Sequence, residues 1–123
     1  MQNNSEAAAG RLLRVAASFN EEDYRKQLKK VVETQAVIDQ VVGYITGVNY
    51  RDFPDVINLM DDAVDQLNRT KEARAKAEDA ARKKDWQQAT LWAEQIWQYQ
   101  VKAADIGIRA KNYLEQNGAK KIK

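Results

Sequence analysis

The chain has 123 residues, an apolar fraction of 44% and a single proline. That composition suits one globular domain built from helices and leaves few turn residues for a many-stranded sheet. Twenty basic against eighteen acidic residues give a net charge of +2, too balanced for a strong field toward nucleic acid or an anionic membrane, and the absence of cysteine and histidine removes disulfides, thiolate sites and the commonest general base and metal ligand.

In chain order, residues 1–19 form an N-terminal arm. Ser5 is placed to cap a short helix from Ala7 to Ser18, with Leu12, Leu13, Ala16 and Phe19 on its apolar side. Residues 7–20 carry two arginines and no acid, a faint likeness to a transit peptide, but they follow Glu6 and lack the apolar core of a secretory signal. No run approaches the eighteen apolar residues of a membrane span. The expected location is the cytoplasm, or synthesis in a cytosol followed by packaging into an assembly.

Asn20 opens the first long helix, 20–46, with Glu21, Glu22 and Asp23 at its positive end. Its apolar seam reads Tyr24, Leu28, Val31, Gln35, Ile38, Val42 and Ile45, and Gly47 ends it. A second long helix, 53–84, begins at Asp52 and Pro54, proline being well placed in a first turn. Its seam is Val56, Met60, Ala63, Leu67, Thr70, Arg74, Ala77 and Ala81. Asp85, with Gln88 three residues on, opens the third, 85–117, which stops at Asn117-Gly118. A basic tail, 118–123, follows.

The third helix carries all three tryptophans and the most regular pattern. Alternating steps of three and four place Ala89, Trp92, Ile96, Tyr99, Ala103, Ile106, Ala110 and Tyr113 on one seam, a helix roughly 50 Å long. Folding about Lys84-Asp85 sets Ala77 and Ala81 against Ala89 and Trp92, and Leu67 near Ala103. Folding about Tyr50 sets Tyr24 near Ala77 and Ile38 near Ala63 or Val64. Small residues thus face large ones, as interdigitating layers require. The expected fold is all-α: one domain, an antiparallel up-and-down bundle of three long helices plus a short N-terminal helix.

One irregularity marks a candidate site. Trp97, Val101, Ala104 and Ile108 form a second apolar stripe on the last helix, where a helix packed on one side should be polar. Either the N-terminal helix covers it with Leu12, Leu13 and Phe19, or it is an exposed patch that docks a protein partner or a second copy. Trp86 and Trp92 could serve as a base-stacking platform, but no basic residue is interleaved in WQQATLWAEQIWQYQ, so they are expected to cap the bundle end against the Ala-rich half of the second helix. Asp61, Asp62 and Asp65 are the densest acidic cluster. With no histidine and no ExxH element beside them, they read as a solvated face and not as a metal or acid–base site.

The segment 77–96 resembles a tetratricopeptide-repeat hairpin at Ala77, Asp85-Trp86 and Ala89, and departs from it at Lys76, where a leucine is usual. A shift of thirty-four residues lands on Asp52 and Asp55, so the resemblance implies a tight helical hairpin and not a repeat array. With no phosphate-cradling loop, nucleophile elbow or metal-ligand set, the expected function is non-enzymatic and cofactor-free: a protein-interaction or assembly subunit using Trp97, Val101, Ala104 and Ile108. The alternative is a weak nucleic-acid-binding accessory protein using its aromatics and the basic tail.

Overall fold

The computed structural model describes residues 19–122. Three long helices, α1 (Glu21–Thr46), α2 (Pro54–Arg82) and α3 (Trp86–Gln116), pack against each other, with a 3₁₀ turn (Tyr50–Asp52) between the first two. Among the described residues there is no strand, so the all-α expectation holds. The short helix expected at 7–18 lies outside the described residues.

The helix ends follow from local chemistry. Asn20 and Asp23 form a reciprocal capping box: Asn20 Oδ1 accepts from the Asp23 amide at 3.1 Å, and Asp23 Oδ2 accepts from the Asn20 amide at 2.9 Å. At α2 the opening residue differs from expectation. Asp52 belongs to the 3₁₀ turn and accepts from Asn49 Nδ2, while Phe53 occupies the cap and Pro54 begins the helix. Asp85 caps α3 by accepting from the Gln88 amide at 3.2 Å.

Both α2 and α3 end in the same hydrogen-bonded device. The Asp85 amide reaches back to the Ala80 carbonyl and Lys84 to Ala81, around a left-handed Lys84 at φ 60°. At the other end of the molecule the Ala119 amide reaches Leu114 around Gly118 at φ 73°. Such a motif wants glycine at its left-handed residue; the second has it and the first does not.

The core is a column in which α3 is the shared member. Val31 of α1 clusters with Ala73, Ala77 and Ile96; Ile38 with Ala63, Ala103 and Ala104; Val41 and Ile45 with Val56, Ala110 and Leu114. Partners on α3 therefore rise in number along α1 and fall along α2. The α1 and α2 backbones approach α3 closely but meet each other at few points. An apolar crevice runs between them, walled by Ile38, Val42, Met60, Val64 and Leu67.

The buried stripe of α3 is Ala89, Ala93, Ile96, Gln100, Ala103, Gly107, Ala110 and Leu114. It keeps the expected heptad rhythm, yet every second position lies one residue beyond the expected one. Ala93, Gln100, Gly107 and Leu114 replace Trp92, Tyr99, Ile106 and Tyr113, which are half-buried at the rims. The reason is proximity. A helix contacted on two sides needs small side chains in the middle, and rings with a polar edge sit where that edge stays wet. At Gly107 an added Cβ would stand 3.0 Å from Val41 Cγ1. The seams of α1 and α2 drift likewise: Val41 is buried where Val42 was expected, and Ala73 and Ala80 where Arg74 and Ala81 were.

Halfway along the column lies a polar layer. Gln100, 1% exposed, donates through Nε2 to Gln35 Oε1 at 3.2 Å, and Gln35 donates to Asp39 at 2.9 Å. Thr70, on α2 between Leu67 and Ala73, is level with them and turns its hydroxyl back to the Leu67 carbonyl at 2.6 Å. The ion pairs found among the described residues all join side chains three or four residues apart on the surface of a single helix. Pairs of that kind are worth about 0–1 kcal/mol and hold no helix to another. Burial does that: fully enclosing Ile45, Ile96 or Leu114 contributes about 1.5–3 kcal/mol apiece.

The basic tail is tied down. The Asn49 amide donates to the Lys120 carbonyl at 2.9 Å, Lys120 donates back to Asn49 Oδ1 at 2.7 Å, and the Ile122 amide reaches the Gly47 carbonyl at 3.0 Å. A sequence ending in AKKIK gives no hint of this, because the partners are two backbone groups and the Asn49 side chain of a distant turn.

Candidate functional site

The second stripe of α3 is divided by α1. Trp97 is half-buried, donates its indole Nε1 to Thr34 Oγ1 at 3.1 Å, and carries Lys30 Nζ 5.2 Å above its ring. Ala104 is buried beneath α1 in the cluster with Ile38. Val101 and Ile108, by contrast, are 42% and 41% exposed. Beside them stands Val37 of α1, 42% exposed, which the sequence reading did not single out.

These residues meet in one shallow groove. Val37 and Thr34 form one wall, Val101 and Ile108 the other, Ala104 the floor, and Glu33 and Asp105 the rim. Asp105 is paired to Arg109 at 2.9 Å, so the rim carries mainly the charge of Glu33. Three aliphatic side chains from two helices over a small floor make a shape that accepts an apolar ridge. Val37 follows the α1 period, seven residues after Lys30 and seven before Tyr44; its approach to Val101 and Ile108 becomes visible only once α1 and α3 are in register.

The remaining candidates fall elsewhere. Trp92 packs on Val31, Ala73, Ala77 and Ile96, with Lys76 Nζ 4.4 Å from its ring centroid. Trp86 tilts against Tyr24 of α1, with centroids 6.0 Å apart. Lys102 and Lys111 similarly lie over Tyr99 and Tyr44. The cations missing from the local sequence are thus supplied by other turns and helices, and they occupy ring faces that a stacked base would need. Asp61, Asp62 and Asp65 are exposed on α2, and Asp65 pairs with Arg69 at 3.2 Å. Among the described residues no three acidic side chains converge as ligands for an ion.

Electrostatic perturbations are few and have structural causes. Burial, reinforced by the charge of Glu78 and opposed by Arg74, pushes the Tyr24 phenol above its ordinary value. Hydrogen bonds from Lys83 and Arg82 hold Asp79 below the usual carboxylate range at the end of α2. Arg74, expected on the seam, is exposed at the side of the α1–α2 crevice near Gln35 and Asp39. No helix among the described residues is long and apolar enough to cross a membrane. No family model, no curated protein and no solved structure matches this chain.

Proposed function

We propose that the protein is a non-enzymatic interaction module, an antiparallel up-and-down bundle of three long helices made in a cytosol and serving as a subunit of a larger assembly. It docks a protein partner, or a second copy, through the groove between α1 and α3. The observation that carries this reading is the grouping of Val37, Val101 and Ile108, each about two-fifths exposed, around Ala104. Aliphatic residues so grouped on both walls of a groove are what a docked apolar ridge covers.

Val101→Glu and Ile108→Glu test it. Both positions face outward, so helicity and melting temperature should stay near wild type while association, followed by light scattering and crosslinking, is lost. If both variants unfold, the stripe is core; if both associate normally, the docking face lies elsewhere. Trp97→Glu is a poor probe, because it breaks the indole bond to Thr34 that helps seat α1.

A further inference from the structure

The two walls of the α1–α3 groove complement each other level by level. The helices run in step along it: Trp97 bonds to Thr34, Gln100 to Gln35, and Gly107 faces Val41. Residues one heptad apart keep to one line on a helix. The α1 wall therefore reads Lys30, Val37, Tyr44, and the α3 wall at the same three levels reads Glu94, Val101, Ile108. Lys30 is exposed, with its ammonium 5.2 Å above the Trp97 ring, and Glu94 is half-buried. Neither belongs to an ion pair among the described residues.

Opposite charge at the head, aliphatic on aliphatic at the middle and an aromatic against an aliphatic at the foot are the pairings of a docked interface. Each wall is the partner that the other wants. One copy cannot use the match, because its own walls stand side by side. A two-fold axis parallel to the helices lays the α1 wall of each copy on the α3 wall of the other, at matching levels. A reversed pair instead sets each wall against its own kind and brings Glu94 onto Ile108, a carboxylate on an aliphatic side chain. The area is also adequate. The 26 residues of α1 make a face about 39 Å long, and two helices 8–10 Å apart make it about 18–20 Å wide. That is about 700–800 Å² per copy, near the ~800 Å² a side of a standard interface.

We propose that the occupant of the groove is the same groove of a second copy, paired about a two-fold axis along the helices. Lys30 meets Glu94 of the other copy, Val37 meets Val101 and Tyr44 meets Ile108, each contact made twice. This rests on the docking reading above and narrows it to one partner and one orientation.

Charge reversal in the full chain, read by sedimentation equilibrium, tests it. Wild type should dimerise with Kd of about 1–100 µM. Lys30→Glu places a carboxylate opposite Glu94 twice, and Glu94→Lys places an ammonium opposite Lys30 twice, so each variant alone should dimerise about tenfold or more weakly. Mixed one to one, the two variants should regain wild-type affinity, since every charged contact in a mixed pair is again between opposite signs. Contacts within one chain cannot produce that recovery. Single variants that dimerise like wild type, or a mixture that stays weak, would overturn the arrangement. A wild type still monomeric at about 0.5 mM would overturn the second copy as occupant while leaving the groove open to a different protein. A dimer that persists unchanged in Val101→Glu and Ile108→Glu would remove the docking reading itself.

Discussion

Gln100→Leu should make the protein more stable, although it deletes a buried hydrogen bond. Gln100 is 1% exposed, and its Oε1 has no partner while its Nε2 donates to Gln35 at 3.2 Å. A buried acceptor left unpaired costs about 1–3 kcal/mol, whereas the bond that is made contributes about 0.5–1.5 kcal/mol. Leucine has similar bulk, removes the unpaired oxygen and adds apolar contact with the neighbouring layers. Gln35 keeps its bond to Asp39 and, being half-buried, can turn its oxygen to water. The expected gain is about 1–2 kcal/mol, or about 3–8 °C in Tm. Urea and thermal unfolding followed by circular dichroism measure it. Gln100→Ala, which leaves a hole at the same place, should be less stable than wild type by about 1–2 kcal/mol. A leucine variant less stable than wild type by 1 kcal/mol or more would refute the reasoning: the oxygen would then be satisfied, and the polar layer would be a net contributor. Light scattering on the same sample tests whether the layer also enforces a single association state, as isolated polar residues do in coiled coils.

Gly107→Ala should destabilise by about 1 kcal/mol instead of giving the usual helix-propensity gain, because its Cβ meets a β-branched Val41 that has little rotamer freedom; urea midpoints decide the sign. Lys84→Gly should raise stability by about 0.5–1 kcal/mol, since it relieves a left-handed residue at a chain reversal; a lower Tm would show that the lysine side chain contributes more than the strain costs. Tyr24 gives a pH signature. Its folded pKa is raised above the ordinary 10.0, so the unfolded state gives up the phenol proton first and stability is lost as pH rises through and beyond that value. Tyr24→Phe should therefore flatten the alkaline limb of a stability–pH profile relative to wild type, without changing its slope near neutrality.

Boundaries were legible where a local side chain or turn sets them, but not at the start of α2, where Phe53 and not Asp52 takes the cap. Asn20 and Asp85 cap through side chains that reach three residues, and Gly118 sits where the backbone turns left-handed. The packing face was only half legible. Ala89, Ile96, Ala103 and Ala110 were read correctly, but between them the large side chains Trp92, Tyr99, Ile106 and Tyr113 drew the seam one residue short. Hydrophobicity favours the bulky residue, whereas close approach on two sides favours Ala93 and Gly107. The interior glycine was the signal that could have moved the reading, since a helix tolerates that cost only where something packs tightly. At the candidate groove, Val101, Ala104 and Ile108 came from periodicity. Val37 did not, because its neighbours are set by the register of α1 on α3. The tail's attachment to Gly47 and Asn49 was invisible for the same reason: it joins the tail backbone to a turn some seventy residues away in the chain.

The two faces of α3 differ in how far the chain must travel to meet them. Its contacts with α2 are reached across the tight Lys83-Lys84 reversal, while the Trp97–Thr34 and Gln100–Gln35 bonds to α1 span 63 and 65 residues. Closing a loop of that length costs about 2 kcal/mol more than closing a turn of a few residues. The α2–α3 hairpin is therefore the part that assembles early, and α1 is the part that joins late and lifts away first. Its amides should exchange at lower free energy than those of the hairpin. Trp92 lies under Lys76 of α2 and Trp97 bonds to Thr34 of α1. The Trp97 indole bond therefore forms only when α1 joins, and a variant that keeps Trp97 as its single tryptophan would report that late event.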